Sequence, residues 1–261
     1  MAHSSQDLSI LNAIRSKLWD GHASVMVGSG FSRNADRGTN TLPLPPSWRE
    51  LAEGLAQELY AQSSRDEINR IVGKKSALQL AQEYETHLGR NALNDFIKKT
   101  ISDANLMPNE LFTQFLELPW NDVFTTNYDT LLERAAQGVW DRKYDVVYAC
   151  QDLALAETPR IVKLHGSLTS LASPLIVTEE DYRTYPQKFA PFVNTVQQTL
   201  MENSLCLVGF SGTDPNFLSW LGWVRDNLGD AMPRVYLLAV SPMPEIEKNV
   251  RSSGILVEQE G

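Results

Sequence analysis

The sequence predicts an α/β protein in which helices cover both faces of a parallel sheet, because short apolar runs alternate with stretches of helical periodicity. The apolar runs are brief, β-branched or apolar in composition, and bounded by Gly, Pro, Asn or Ser. Such runs are typical of strands that are buried on both faces, as in parallel sheets. We therefore expect a doubly wound, Rossmann-like parallel sheet of about six strands.

Six runs are predicted to be the strands of this sheet. They are Ala23–Val27, Asp122–Thr126, Arg160–Leu164, Ser204–Val208, Arg234–Val240 and Gly254–Glu258. The clearest helical pattern follows the fourth run, at Asp214–Leu228, where apolar residues such as Phe217, Trp220 and Leu221 recur at helical spacing.

A long segment between the first two predicted strands departs from this alternation. From about Asn40 to about Leu118 the pattern is helical throughout, and Ser47 is the expected N-cap of its first helix. Further helices are expected around Ala77–Leu88 and Ala92–Ile101. We therefore predict one domain over residues 1–261 with an all-helical insert at about 40–118. The chain stops soon after its last predicted strand, which suggests a further C-terminal domain beyond residue 261.

Composition limits the classes of partner. The chain has 261 residues, 43% of them hydrophobic, and a formal net charge of −9. An acidic protein gains no long-range attraction to nucleic acid, so direct nucleic-acid binding is not expected. The two cysteines, Cys150 and Cys206, are too few and too far apart to suggest a zinc site, and we predict no metal. No apolar run approaches the roughly 18 residues of a membrane span, so we expect a cytoplasmic protein.

A glycine turn follows the first predicted strand. Gly28 and Gly30 would let the backbone approach a pyrophosphate, while the following amides supply hydrogen-bond donors. The dinucleotide fingerprint G-x-G-x-x-G is incomplete, because Arg33 stands where the third glycine is required. An ordinary tight turn is the alternative interpretation.

Polar turns also follow the second, third and fourth predicted strands. They are Thr126-Asn127-Tyr128-Asp129, Lys163-Leu164-His165-Gly166-Ser167 and Gly209-Phe210-Ser211-Gly212-Thr213-Asp214. Each has a structural alternative: helix capping at the first, a structural histidine at the second and a plain strand–helix junction at the third. Four polar turns at the carboxyl ends of parallel strands nevertheless converge on one crevice, which favours a binding or catalytic function.

Together these motifs, in this order, resemble those of the sirtuin superfamily, and above all the SIR2-like NADase domains of bacterial anti-phage defence proteins. The resemblance extends from about Ser24 to the C-terminus. It implies that Asn127 and His165 are catalytic, and that Asp129 binds the nicotinamide carboxamide. It also implies an NAD-binding set formed by Gly28, Ser29, Gly30, Phe31, Ser32, Thr126, Asp129, Gly209, Phe210, Ser211 and Asp214.

The family's deacylases carry a four-cysteine zinc module that this chain lacks, so the resemblance favours water over an acyl group as the nucleophile. We expect an NAD+ glycohydrolase in which NAD is the substrate, acting as an NAD-depleting effector of anti-phage defence. In this hypothesis Asn127 orients a ribose hydroxyl or a water and His165 acts as general base. The alternatives are an NAD-dependent protein deacylase and a non-catalytic module that senses NAD or ADP-ribose.

The resemblance also implies control of the activity, since an unregulated NADase would kill its host. Family members are typically restrained by homo-oligomer packing, by a regulatory partner or by an attached sensor domain that responds to phage. The sequence does not distinguish these three arrangements.

Overall fold

The structure is a computed structural model that describes residues 5–38, 43–170, 173–239 and 255–259. Its strands are β1 (Ala23–Val27), β2 (Asp36–Arg37), β3 (Leu106–Met107), β4 (Asp122–Thr125), β5 (Asp145–Val147), β6 (Arg160–Lys163), β7 (Ser204–Val208), β8 (Val235–Ala239) and β9 (Ile255–Gln259). Its α-helices are α1 (Ser5–Trp19), α2 (Ser29–Ser32), α3 (Trp48–Leu59), α4 (Arg65–Val72), α5 (Ala77–Leu88), α6 (Arg90–Ile101), α7 (Glu110–Glu117), α8 (Leu131–Ala136), α9 (Glu179–Lys188), α10 (Ala190–Glu202) and α11 (Pro215–Leu228).

Seven of the strands form one parallel sheet in the order β5-β6-β4-β1-β7-β8-β9. The predicted doubly wound α/β fold is thus confirmed, and the six predicted strands all belong to this sheet. The seventh, β5, has three residues, too few to produce a recognisable pattern. Of the predicted boundaries, Asn40, Val240 and Gly254 lie outside the described residues.

Alternate residues along the central strands pack into different cores, which is why the strands are apolar throughout. Met26 and Phe124 pack in the core beneath α9, α10 and α11. Val25 and Val123, one residue earlier in each strand, pack on the opposite face beneath α1, α7 and α8. Cys206 of β7 is fully buried in this second core.

Helices α3 to α7 lie between β1 and β4, the part of the chain predicted to be an insert. Ser47 caps α3 as predicted, since its hydroxyl accepts from the Glu50 amide while the Glu50 carboxylate accepts from the Ser47 amide. The insert is not all-helical, however: β3 pairs antiparallel with β2. A pairing of two residues is too short to interrupt the helical periodicity, so the sequence does not reveal it.

The insert helices have a core of their own, which includes Leu55, Leu80 and Leu93. Tyr128, Leu175 and Val177 from outside the insert pack into the same core. The insert is therefore attached directly to the turn that contains Asn127 and to the segment that follows His165. Over the described residues, no helix combines the length and apolar character needed to cross a membrane.

Candidate functional site

The four predicted turns meet at one edge of the sheet. They follow β6, β4, β1 and β7, which are adjacent, parallel strands, so their carboxyl ends lie side by side. Strands β4, β5 and β6 lie on one side of β1, whereas β7, which comes next in the chain, lies on the other side. The crevice between β1 and β7 is therefore a topological switch point, where open parallel sheets bind ligands.

At this switch point the turns after β1 and β7 pack backbone against backbone. The Gly28 and Gly30 amides donate to the carbonyls of Val208 and Gly209, at 3.1 and 2.9 Å. A Cβ at Gly28 would lie 2.5 Å from the Gly209 oxygen, and one at Gly209 would lie 2.1 Å from the Phe31 nitrogen. Gly209 also has a φ of +59°, which disfavours any other residue. These glycines are required by the contact between the two turns, and their amides already have acceptors within the protein.

Asn127 belongs to a buried chain of hydrogen bonds. Its Nδ2 donates to Ser32 Oγ at 2.9 Å, and the Ser32 hydroxyl donates to Asp129 Oδ2 at 2.8 Å. The backbone N–H of Asn127 donates to Thr125 Oγ1 at 3.0 Å. The glycine turn and the turn after β4, predicted as two separate motifs, are therefore joined side chain to side chain through Ser32.

Asp129 also has a local structural role. Its Oδ1 accepts from the Leu131 amide at 3.2 Å, so part of the capping alternative holds for this residue. Its carbonyl accepts a hydrogen bond from Lys163 Nζ. Lys163 lies 3.0 Å from Glu133 Oε1, and the two side chains are only 1% and 8% exposed. Burial raises the pKa of Glu133, an effect that the Lys163 ammonium opposes.

His165 is completely buried two residues beyond β6. Its carbonyl accepts from the Ile176 amide at 3.0 Å, and the chain reverses at Gly166, whose φ is +87°. The imidazole packs edge-on against the rings of Tyr182 and Tyr185, with centroids 5.2 and 5.7 Å away. Its Nε2 is buried without a hydrogen-bond partner among the described residues. Burial lowers the pKa of His165, which favours the neutral imidazole that a general base requires.

Asp214 lies beneath His165 at the start of α11. Its Oδ1 accepts from the Phe217 amide at 3.0 Å, so Asp214 is the N-cap of this helix. Its Oδ2 accepts from the Tyr182 hydroxyl at 2.8 Å, and the same hydroxyl lies 3.5 Å from His165 Nδ1. Both carboxylate oxygens thus have donors within the protein.

The remaining predicted NAD-binding residues occupy two kinds of position. Ser29 and Thr126 are half-buried and Ser211 is exposed, so their hydroxyls lie at or near the surface of the edge. The side chains of Phe31 and Phe210 are buried: Phe31 packs on Phe112 and Phe115, and Phe210 packs on Phe217. Because both side chains are buried, only the backbone of these two residues is available to contact a ligand.

Sequence reasoning gave no role in the site to Tyr182, Lys163 or Glu133, although Lys163 stands in the motif that contains His165. A lysine in the apolar run Ile161-Val162-Lys163-Leu164 is a signal for a buried charge that needs a partner. Tyr182 gives no such signal, because its contacts come from residues distant in sequence. In the part of the chain that the structure describes, no group of three or more His, Cys, Asp or Glu side chains is arranged to hold a metal ion.

A family model described as the SIR2-like domain matches residues 121–257, which is just over half of the chain. The chain belongs to the SIR2-like domain family. The matched segment contains Asn127, His165 and the turn at Gly209, while the glycine turn after β1 lies outside it.

Curated relatives of this SIR2-like domain cover most of it. The NAD(+) hydrolase ThsA of Acinetobacter baumannii is 29% identical over 222 residues, which are 83% of this chain and 42% of that protein. The NAD(+) hydrolase ThsA of Bacillus cereus is 29% identical over 223 residues, 83% of this chain and 43% of that protein. Defense-associated sirtuin 2 of Bacillus subtilis is 26% identical over 212 residues, 79% of this chain and 20% of that protein. The SIR2-like domain thus spans less than half the length of these relatives.

A solved structure of a Sir2 homologue in complex with NAD has the same fold. It superposes with a TM-score of 0.58 at 14% identity, covering 100% of this chain and 91% of the other. At that identity the likeness concerns the fold alone, and it agrees with the doubly wound sheet described above.

Proposed function

We propose that this SIR2-like domain hydrolyses NAD+ at the nicotinamide–ribose bond and releases nicotinamide, ADP-ribose and a proton. The observation that carries the proposal is the presence, at one sheet edge, of a hydrogen-bonded Asn127 and a buried His165 whose Nε2 has no partner among the described residues. The names of the ThsA relatives as NAD(+) hydrolases point in the same direction.

The chemistry requires little acid catalysis, since nicotinamide leaves as a neutral molecule from a cationic pyridinium. The protein must instead place the ribose, exclude bulk water and present one nucleophilic water. Asn127 Nδ2 donates one of its two hydrogens to Ser32, which sets the orientation of the side-chain amide, and we assign to Oδ1 the role of orienting a ribose hydroxyl or the water. His165 takes the proton of the attacking water, a contribution worth about 10²–10⁴-fold in rate.

The NAD-binding surface is formed by the turns around the β1–β7 crevice. The amides of Gly28 and Gly30 are already used within the protein, so we assign the polar contacts to hydroxyl-bearing residues at this edge: Ser29, Thr126 and Ser211. The Asp129 side chain, whose two oxygens accept from Ser32 and from the Leu131 amide, is the group proposed to receive the nicotinamide carboxamide on its remaining lone pairs.

The biological setting is part of the same proposal. The domain acts in the cytoplasm as the NAD-depleting effector of anti-phage defence, restrained by homo-oligomer packing, a regulatory partner or an attached sensor domain. The relatives' names as NAD(+) hydrolases and as a defense-associated sirtuin support this setting. A formal charge of −9 argues against nucleic acid as a direct partner.

The test is NAD consumption by the purified protein, with products separated by chromatography. The expected result is nicotinamide and ADP-ribose in equal amounts from the parent, and at least a 100-fold lower rate from Asn127→Ala and His165→Ala. His87→Ala, which changes an exposed histidine on α5, is the matched control and should hydrolyse NAD at the parental rate.

Two other outcomes would replace the proposal. Product that appears only with an acetylated peptide, as O-acetyl-ADP-ribose, would identify a deacylase. Tight NAD binding without cleavage, in the isolated domain and in the full-length protein, would identify a sensing module.

A further inference from the structure

Tyr182 links His165 to a carboxylate. This tyrosine lies on α9, and its hydroxyl donates to Asp214 Oδ2 at 2.8 Å. The same oxygen lies 3.5 Å from Nδ1 of His165, and the two rings meet edge-on. The three side chains come from three elements of the fold: the turn after β6, helix α9 and the start of α11.

The positions of the hydrogen atoms between His165, Tyr182 and Asp214 follow from which of these groups can donate and which can only accept. A neutral phenol has one hydrogen to donate, and an ionised carboxylate can only accept. Burial and the nearby Asp214 carboxylate raise the pKa of Tyr182 well above its ordinary value, so its hydroxyl stays protonated. Because that hydrogen points to Asp214, the Tyr182 oxygen can only accept from His165. A hydrogen bond between the two side chains therefore requires the hydrogen on Nδ1.

The other ring nitrogen then has a free lone pair. In a neutral imidazole only one nitrogen carries a hydrogen, so an Nδ1–H tautomer leaves Nε2 as an acceptor. Nε2 is the atom that the structure buries without a partner. The contacts on one side of the ring therefore determine the chemistry available on the other side.

We propose that Tyr182 and Asp214 are positioning residues that hold His165 in the Nδ1–H tautomer and thereby make Nε2 the base of the site. The identity of the reaction rests on the proposed NAD hydrolysis, whereas the tautomer does not. Asp214, predicted from the sequence to contact the cofactor, acts in this proposal through Tyr182.

The attacking water forms a bond from its oxygen to the ribose carbon, and the carbon–nitrogen bond breaks with its electron pair leaving on nicotinamide. The water's proton goes to Nε2, which turns His165 into an imidazolium that later releases the proton to solvent. During that interval Nδ1–H still donates to Tyr182, and the Asp214 carboxylate beyond it favours the cation.

Two groups around His165 bear on its titration besides the Asp214–Tyr182 pair, namely Asp181 and Tyr185. Asp181 on α9 favours the protonated ring, and burial of the whole site opposes it. Tyr185, on the same helix, packs edge-on against the ring, but its hydroxyl donates to the Leu164 carbonyl at 2.7 Å. Tyr185 therefore offers a matched control, because it is a buried tyrosine against the same imidazole without a contact to Nδ1.

The first test reads the tautomer directly by ¹⁵N NMR of the histidine rings, without NAD. The signals of His165 are identified as those that disappear in His165→Gln. We expect a protonated Nδ1 in the parent and in Tyr185→Phe. Tyr182→Phe should move the population toward Nε2–H, and Asp214→Asn should do so to a smaller extent, since the Asn oxygen still accepts from Tyr182. An Nε2–H parent, or a Tyr182→Phe spectrum like that of the parent, overturns the proposal.

The second test is the pH profile of kcat for NAD hydrolysis. Tyr182→Phe should lower kcat about tenfold and move the acidic limb to lower pH, because the imidazolium loses an acceptor and its link to Asp214. Tyr185→Phe should leave the limb where it is, even if the protein becomes less stable. A loss of kcat in Tyr182→Phe without any movement of the limb contradicts the positioning role.

The two proposals can fail separately. If the parent does not hydrolyse NAD but the tautomer depends on Tyr182, the proposed function is wrong and the positioning role stands. If NAD is hydrolysed through His165 but the tautomer does not change in Tyr182→Phe, the proposed function stands and the positioning role is wrong.

Discussion

Asn127 and His165 lie at the same sheet edge but are held by different forces. Asn127 is joined to Ser32, and Ser32 to Asp129, by hydrogen bonds of 2.9 and 2.8 Å. Among the described residues, the His165 ring has one polar contact, at 3.5 Å, and it packs edge-on with the rings of Tyr182 and Tyr185. Hydrogen bonds fix the amide in one orientation, whereas ring packing fixes the imidazole plane and leaves one nitrogen unsatisfied. The contrast matches the proposed roles of an orienting group and a proton acceptor.

The largest effect is expected from breaking the support beneath the Asn127 turn. Lys163→Met removes the donor to the Asp129 carbonyl and leaves the Glu133 carboxylate buried without its countercharge. The free energy of unfolding should fall by about 4 kcal/mol, as measured by urea denaturation.

A double variant separates the charge from the hydrogen bond. Lys163→Met with Glu133→Leu removes both charges and should recover most of the lost stability. The Asp129 carbonyl still lacks its donor in this variant, so kcat should remain below that of the parent. If the single variant is as stable as the parent, the ion pair does not support the turn.

A smaller effect is expected from breaking the Asn127 chain at its centre. Ser32→Ala leaves Asn127 Nδ2 and Asp129 Oδ2 without their shared partner, which should cost about 2 kcal/mol of stability. The side-chain amide of Asn127 also becomes free to rotate. Because it then no longer orients the ribose hydroxyl or the water, the rate of NAD hydrolysis should fall. Both quantities can be measured on the same preparation.

Ser24→Ala is the matched control for this prediction. Ser24 is a fully buried serine of β1, and its hydroxyl has no hydrogen-bond partner among the described residues. Removing an unpaired buried hydroxyl should leave the stability unchanged or slightly higher. Equal losses for Ser24→Ala and Ser32→Ala would mean that the hydrogen-bonded chain contributes nothing of its own.

The smallest effect concerns His165 and appears as a pH dependence. Burial lowers the pKa of His165 below its ordinary value of 6.5, so at mildly acidic pH the unfolded chain binds a proton that the folded protein does not. The stability contributed by the neutral ring is complete above that ordinary value and is lost as the pH falls below it. Between about pH 7.5 and about pH 5.5 the parent should lose about 1 kcal/mol more than His165→Gln.

Urea denaturation at the two pH values provides this measurement. His87→Gln changes an exposed histidine and should follow the parent. If His165→Gln loses as much stability as the parent, His165 is not the group that resists protonation.

The sequence predicts the sheet and the location of the site because both depend on local patterns. Apolar runs mark the strands, and the polar turns at Gly28, Asn127, His165 and Gly209 follow from strand ends that meet at one edge. The short pairings escape this reasoning, since β3 and β5 are too brief to show a period.

The partners within the site were less predictable. That Ser32 bridges Asn127 and Asp129, and that Tyr182 bridges His165 and Asp214, depends on side-chain directions set by packing between distant segments. A single sequence contains the residue types but not these pairings. The contact between the glycine turn and the β7 turn is a further pairing of this kind, since the Gly28 and Gly30 amides donate to the carbonyls of Val208 and Gly209.

That backbone contact has a consequence for how the protein is made. β1 is near the start of the chain and lies at the centre of the sheet, with β4 on one side and β7 on the other. During synthesis on the ribosome, the amides of Gly28 and Gly30 have no acceptors in the β7 turn until Val208 and Gly209 have been added to the chain. The crevice is therefore completed only after β7 has emerged, by a contact between the first and the seventh of the nine described strands. An unfinished chain cannot possess it.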